Sequence, residues 1–237
     1  QGAMRIAQFS ATEGVERLIH ISAIGSDEKS KSRYSKSKAL GERAVLDKFP
    51  EAIILRPSVI FGPEDKFFNR FAGMTRLSPF LPLVGAKSKF QPVYVDDVAR
   101  AAEIAATGKA KAGIYELGGP EVVSFNDLMV RMLDVIKRRS IILPLPIFIG
   151  RLMAMAFDVS EIMSLGVIKN VLITRDQVKN LARDNVVSGD YKSFSDLGIT
   201  PTSLDAVLPE YLWCYRPSGQ FAAIKDSAKN LRSKDNS

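Results

Sequence analysis

Tyr34 and Lys38 stand four residues apart in the stretch SRYSKSKALGE, residues 32–42. On an α-helix that spacing places two side chains on one face, one turn apart, so the pair can act on a single ligand. A phenol ordinarily gives up its proton near a pH of about 10, and it becomes an acid or base near neutrality only beside a cation that favours the phenolate. Lys38 is such a cation. A lone Y-x-x-x-K match also recurs by accident on lysine-rich surfaces, so the pair carries chemistry only where the surrounding elements build a site.

Those elements can be read along the chain. MRIAQFSATEG (4–14) has helical spacing and ends on Gly14, and ERLIHIS (16–22) is short and apolar, as a buried parallel strand would be. A helix carrying Tyr34 and Lys38 follows, and AIILRPS (52–58) repeats the strand type. Helix, strand, helix, strand implies parallel crossovers and an α/β sheet. FQPVYV (90–95) and AGIYELGG (112–119) are two further expected strands, with a helix between them that runs to about Ala106. Ser124 with Asp127 opens an amphipathic helix, and Thr174 with Gln177 forms a capping box for another, so the second half is expected to be mostly helical. The chain opens on a crossover helix and holds no glycine-rich phosphate loop after an early strand, so the N-terminal half of the sheet is expected to be missing.

Other polar residues are candidates of lower rank. Ser22 ends a strand, where open α/β sheets bind ligands, and Ser26 is its rival. Asp96 and Asp97 are adjacent and point in different directions on a helix, so one of them is expected to cap the helix rather than form a catalytic pair. His20 alternates with apolar neighbours and is expected to be a satisfied core histidine. Cys214 is the single cysteine, which excludes an internal disulfide and suits a reducing compartment, and no Cys/His cluster suggests a metal.

Of the 237 residues 46% are apolar and 25% charged, a globular composition. The net charge is +7, but five basic and two acidic residues lie between Arg216 and Ser237, leaving the body only mildly basic. No basic face with interleaved aromatics suggests nucleic acid. The stretch from Ile141 to Phe157 is apolar but is interrupted by Pro144, Pro146 and Arg151 and is too short to span a bilayer.

Taken together and in order, the strand RLIHIS, the Y-x-x-x-K pair, LRPSVIFGP (55–63) and PVYVDDVARA (92–101) resemble the extended and atypical short-chain dehydrogenases, the NAD-dependent epimerase/dehydratase family. The run from Ser32 to Ala72, with FQPVYVDDVA, LPLPIF and ITRDQVKNL, is similar to the NAD(P)-binding accessory subunits of respiratory complex I and their bacterial relatives. The resemblance implies a Rossmann-type parallel sheet over residues 1–119, interleaved from about 63 with a smaller subdomain, and a mainly helical subdomain over 120–216; the polar, charged composition from Pro217 onward implies a flexible basic tail over 217–237. It implies an NAD(P)(H) cofactor, with NADPH slightly favoured and binding dependent on the missing half. Tyr34 would be the acid/base, Lys38 would tune it and donate to the cofactor ribose, and Ser22 would orient substrate. The backbone of Pro57, Ser58 and Val59 would contact the nicotinamide carboxamide. The implied partners are complex I subunits, in the cytoplasm with peripheral attachment to the inner membrane, or on the matrix side of a mitochondrion; the small-molecule substrate is unspecified.

Three readings stay open at this point: an accessory subunit of an NADH:quinone oxidoreductase holding a tightly bound nucleotide, a free-standing reductase, epimerase or dehydratase, and a non-catalytic sensor or scaffold.

Overall fold

A computed structural model describes residues 2–163, 174–217 and 219. The expected basic tail lies outside the described residues apart from its first few positions. Helix α1 (Gly2–Thr12) leads into strand β1 (Ile19–Ile21), then helix α2 (Arg33–Leu46) and strand β2 (Ile53–Pro57). The chain continues through β3 (Ile60–Phe61), α3 (Phe68–Leu77), β4 (Phe80–Val84), β5 (Lys89–Phe90), β6 (Val93–Tyr94), α4 (Val95–Ala106) and β7 (Gly113–Leu117). Strand β8 (Val123–Ser124), helix α5 (Phe125–Ile136), strand β9 (Ile141–Leu145) and helices α6 (Ile147–Met163), α7 (Arg175–Leu181) and α8 (Leu204–Leu212) complete it.

The main sheet is parallel, in the order β1-β2-β7, with Ile53 opposite both Ile19 and Gly113. All five residues of β2 are buried, as expected for a central strand covered on both faces. Parallel strands crossed over by helices make this a Rossmann-type α/β unit. One core cluster, centred on Leu55, Leu117, Ala101 and Tyr115, lies between the sheet and α4 and takes in Phe194, Leu197 and Ile199 from the C-terminal region. Another joins Phe61, Phe68, Leu81 and Leu83 to Phe125, Met129, Leu208 and Leu212. The segment after Phe61 therefore shares its hydrophobic core with residues beyond 120.

Several local expectations are corrected. The stretch 90–95 is two short strands, because Pro92 has no N–H to give a ladder and the neighbouring Gln91 N–H donates to the Asn185 carbonyl at 3.0 Å. The second half also contains β8, which pairs antiparallel with β5, and β9, which runs parallel to β4. Neither Asp96 nor Asp97 caps α4: Tyr94 is the N-cap and makes no side-chain bond there. Asp97 instead turns inward, 1% exposed, and accepts from the Thr202 N–H at 2.6 Å and its hydroxyl at 3.2 Å. Thr202 offers two donors to a carboxylate that already lies in the first turn of the helix, so tertiary anchoring replaces the local cap. Ser124 caps α5, and Thr174 with Gln177 forms the capping box of α7, both as expected.

Gly119 shows what holds the end of β7 against the Gln91–Pro92 strap: a Cβ there would collide with the Pro92 carbonyl oxygen. Its N–H donates to the Gln91 carbonyl at 3.2 Å, so the strap closes directly over the end of the sheet.

Candidate functional site

Tyr34 is fixed by the way α2 begins. The helix opens RYSKSK, with no acidic residue in its first turn to meet the free N–H groups or the positive end of the helix dipole. Asp176, from α7, supplies both. Its carboxylate accepts from the Arg33 N–H at 2.8 Å, the Tyr34 N–H at 3.0 Å and the Ser32 hydroxyl at 2.9 Å. Burial pushes this carboxyl up, but the bonds from Tyr34, Arg33 and Ser32 outweigh it and hold the group below its ordinary value. Lys179, one turn on, donates to the Lys31 carbonyl at 3.0 Å. Sequence reasoning missed Asp176 because its partners lie more than 140 residues away. Asp176→Ala is expected to cost about 1–2 kcal/mol in urea denaturation, a cap's worth, with Asp176→Asn losing less; no change would remove Asp176 from this role.

Tyr34, Pro57, Ser58 and Val59 line one cleft of about 260 Å³ at the carboxyl end of β2, together with Arg183 and Asn185. Four of the six residues singled out in the sequence are thus brought together. Lys38 stands beside them, its Nζ 5.8 Å from the Tyr34 ring centre and donating to the Ile21 carbonyl at 3.3 Å. Burial raises the Tyr34 phenol above its ordinary value. Its hydroxyl has no hydrogen-bond partner among the described residues.

The backbone after β2 is already engaged. The Ser58 N–H donates to the Leu117 carbonyl at 2.9 Å, and the Pro57 carbonyl accepts from the Ile24 N–H at 3.0 Å. Asn185 Oδ1 accepts from the Val59 N–H at 2.9 Å and from the Ser58 hydroxyl at 2.6 Å. A side-chain carboxamide therefore occupies the positions where a nicotinamide carboxamide is expected. Asn185 was invisible in the sequence, where it is one asparagine in a polar turn.

Ser22 lies elsewhere. It is 3% exposed, does not line the cleft, and its hydroxyl is 3.0 Å from that of Ser26. The Ser26 hydroxyl donates to the Ala23 carbonyl at 2.9 Å, and beside this pair Glu42 receives two bonds from Arg56, at 2.9 and 2.6 Å. Orienting a substrate would require Ser22 to leave Ser26. Across the sheet Arg56 is 3.7 Å from Glu116, which accepts from the Ser188 N–H and hydroxyl at 2.6 and 2.9 Å, and the guanidinium covers the Tyr191 ring at 4.6 Å. A buried polar network thus ties α2, β2 and β7 together beside the cleft.

His20 departs from expectation: its Nε2 is buried with no hydrogen-bond partner among the described residues, against the α2 surface at Gly41. Burial, reinforced by Lys38, lowers its pKa below the ordinary value. The unfolded chain then binds the proton more readily, so stability falls as pH drops below about 6.5 and toward the folded value. Replacing His20 with Phe should flatten the loss of melting temperature between pH 7.5 and 5.5; an unchanged slope would rule His20 out as its source.

Residues 25–147, which make up 123 of the 237, match the family model described as the RmlD substrate binding domain. The chain belongs to that family. This RmlD-type chain is 36% identical over 211 residues to the mitochondrial NADH dehydrogenase [ubiquinone] 1 alpha subcomplex subunit 9 of Arabidopsis thaliana, covering 87% of this chain and 52% of that protein. It is 36% identical over 214 residues to the subunit of the same name in Mus musculus, covering 89% and 55%. The RmlD-type chain thus spans about half the length of the relatives it matches. Among solved structures it resembles the UDP-glucuronic acid 4-epimerase of Bacillus cereus, crystallised with UDP-glucuronic acid and NAD, at a TM-score of 0.60 and 19% identity. That match covers 89% of this chain and 65% of the epimerase chain, and at such identity the likeness is one of fold. Among the described residues no helix is long and apolar enough to cross a membrane.

Proposed function

We propose that this chain is the cofactor-facing and partner-facing part of an NAD(P)-binding accessory subunit of respiratory complex I, with the nucleotide held as a structural ligand. The observation that supports it most is the state of the Tyr34–Lys38 pair, combined with similarity to complex I subunits over most of the chain. A half-exposed phenol on the wall of the cleft stands beside an ammonium, 5.8 Å from its ring centre, that has donors to spare, as binding a ribose requires.

Residue by residue, the fit is good on the α2 side. The Lys38 ammonium has three donors and gives one to Ile21, leaving two for vicinal ribose hydroxyls. Tyr34 donates its hydroxyl beside them. On the β2 side a nicotinamide carboxamide must exchange with that of Asn185, since the Val59 N–H and Ser58 hydroxyl are taken. A bound nicotinamide supplies hydride chemistry. For turnover, Tyr34 would have to pass its proton to a substrate oxygen, and Lys38 would have to lower the cost of the phenolate left behind.

The partner surface is proposed on α6 and the tail that follows the described residues. Phe148, Leu152 and Met155 fall at i, i+4 and i+7 on α6, where they are 68%, 63% and 47% exposed. Such a stripe is more than a lid over a cofactor needs and suits burial against another protein beside the membrane, which is where peripheral attachment to the inner membrane is proposed.

The test is to purify the tagged full-length protein from detergent-solubilised native membranes, identify its companions by mass spectrometry and release its nucleotide by denaturation. Complex I subunits and one NADPH or NADH per protein are expected, and Leu152→Glu should lose the companions while keeping the nucleotide. A wholly soluble distribution with no oxidoreductase subunits, together with turnover of a carbonyl compound, would favour a free-standing reductase instead.

A further inference from the structure

Beside the Tyr34 cleft lies a larger chamber of about 640 Å³, walled by α3, β4, α5 and the C-terminal helices. The two share Tyr34, Val59, Phe90, Asn180 and Leu181, so the chamber opens on the phenol. Its lining differs sharply from that of the cleft. Thirteen of its eighteen residues are apolar, among them Phe67, Phe71, Met74, Phe125 and Met153, and none is a carboxylate. The aromatic members pack on one another: Phe67 lies 5.6 Å from Phe71 and 5.5 Å from Phe125, centre to centre, which makes a firm wall rather than a loose gap.

Over most of its wall such a chamber offers a sugar no hydrogen-bond partners. Each sugar hydroxyl brought in from water needs a partner, and an unpaired one in an apolar site costs free energy that the binding does not recover. Its five polar lining residues are Tyr34, Asn180 and Gln177 of α7, and the cations Lys66 and Arg70 beside and on α3; Gln177 already accepts from the Thr174 N–H at 3.0 Å. A mostly apolar wall with a minority of polar groups, two of them cations and none a carboxylate, is the complement of an amphiphile with a polar or anionic head, and the volume is in the range that encloses most of a small ligand.

We infer that the chamber binds the single long hydrocarbon chain of an amphiphile whose polar end lies beside Tyr34. The ligand class is a medium- or long-chain acyl or alkyl compound with a small polar head. The inference rests on the proposed cofactor site only for the orientation of the head; the chain's burial stands on the chamber alone.

The test uses the full-length protein and a dansylated ω-amino fatty-acid series running from hexanoate to dodecanoate, read by dansyl fluorescence. Affinity should rise roughly fourfold for each added methylene until the chamber is full, because each buried CH₂ contributes about 0.8 kcal/mol. Unlabelled dodecanoate should displace the probe and UDP-glucose should not. Met74→Trp should remove the gain from the longer chains, and Met153→Trp gives a second obstruction on another wall should the first variant fold poorly. Affinity that does not change with chain length, displacement by UDP-glucose, or a chain-length gain that survives a folded obstruction variant would overturn the inference. NADPH binding measured on the same samples separates the two ideas: probe binding with chain-length dependence but without NADPH binding removes the cofactor reading and leaves this one standing, whereas NADPH binding without chain-length dependence does the reverse.

Discussion

Replacing Arg56 with Met should cost about 3–5 kcal/mol of folding stability, the usual penalty for removing one partner from a buried ion cluster. Arg56 is 8% exposed in the middle of the central strand, Glu42 4% and Glu116 5%. The methionine would fill most of the space, so the loss would come from two carboxylates left in a low-dielectric interior without their cation rather than from a cavity. Glu116 would keep Ser188, but a hydroxyl and one N–H do not replace a guanidinium, and Glu42 would lose its bidentate partner. Arg56→Lys should fall in between, since an ammonium restores the charge without the fork. Urea denaturation of the three proteins measures this, and a loss for Arg56→Met under about 1 kcal/mol would show that the cluster contributes little.

The same substitution should reverse a pH dependence. In the native protein burial pushes the Glu42 carboxyl up, but the bonds from Arg56 and Ser22 more than offset it and hold the group below its ordinary value. Its stabilising contribution is then complete above the ordinary carboxylate range and is lost only as pH falls through the lowered value. Without Arg56, burial is left as the dominant influence and the folded pKa rises above the unfolded one. The variant should therefore gain stability as pH drops from 7 toward 5, where the native protein has no such gain from Glu42.

Much of this architecture was legible because it is local. The alternation of buried runs and amphipathic helices announced parallel crossovers, and Ser124 and Thr174 marked helix starts through bonds that span three residues. Tyr34 could be placed on a helix face by periodicity, whereas Pro57, Ser58 and Val59 were singled out through the family resemblance; the structure lines one cleft with all four. What escaped depends on partners distant in sequence. Arg56 looked like one cation in an apolar strand, yet its carboxylates lie 14 residues before it and 60 after it in the sequence. Asp97 fitted a local cap until Thr202 offered it two donors. Asn185 and Asp176 have no local signature at all, because each acts on backbone N–H groups, which every non-proline residue presents. Ser22 stands at the expected strand end, but its hydroxyl meets that of Ser26 rather than the cleft.

Lys38→Ala should lower the affinity of the full-length protein for NADPH at least about tenfold, whereas Tyr34→Phe should change it less than about threefold. The argument is one of donors. Lys38 holds two uncommitted N–H donors beside Tyr34, and a hydrogen bond from a charged group contributes about 1.5–3 kcal/mol, so losing even one exceeds the 1.4 kcal/mol that corresponds to tenfold. Tyr34 offers a single neutral donor that is half exposed, with water as a ready alternative partner. Lys38→Arg should recover little, because a planar fork does not reproduce three donors on a point charge. Folding should be nearly unaffected in all three variants, since Lys38 gives up only a 3.3 Å bond to Ile21. Calorimetric titration with NADPH, with melting temperatures as the control, reads both quantities. If the full-length protein turns over any carbonyl substrate, Tyr34→Phe should abolish that turnover while leaving NADPH bound, which separates a proton donor from a ligand. Lys38→Ala binding NADPH as tightly as the native protein would show that the ammonium stays on Ile21 and that the ribose is held by other residues.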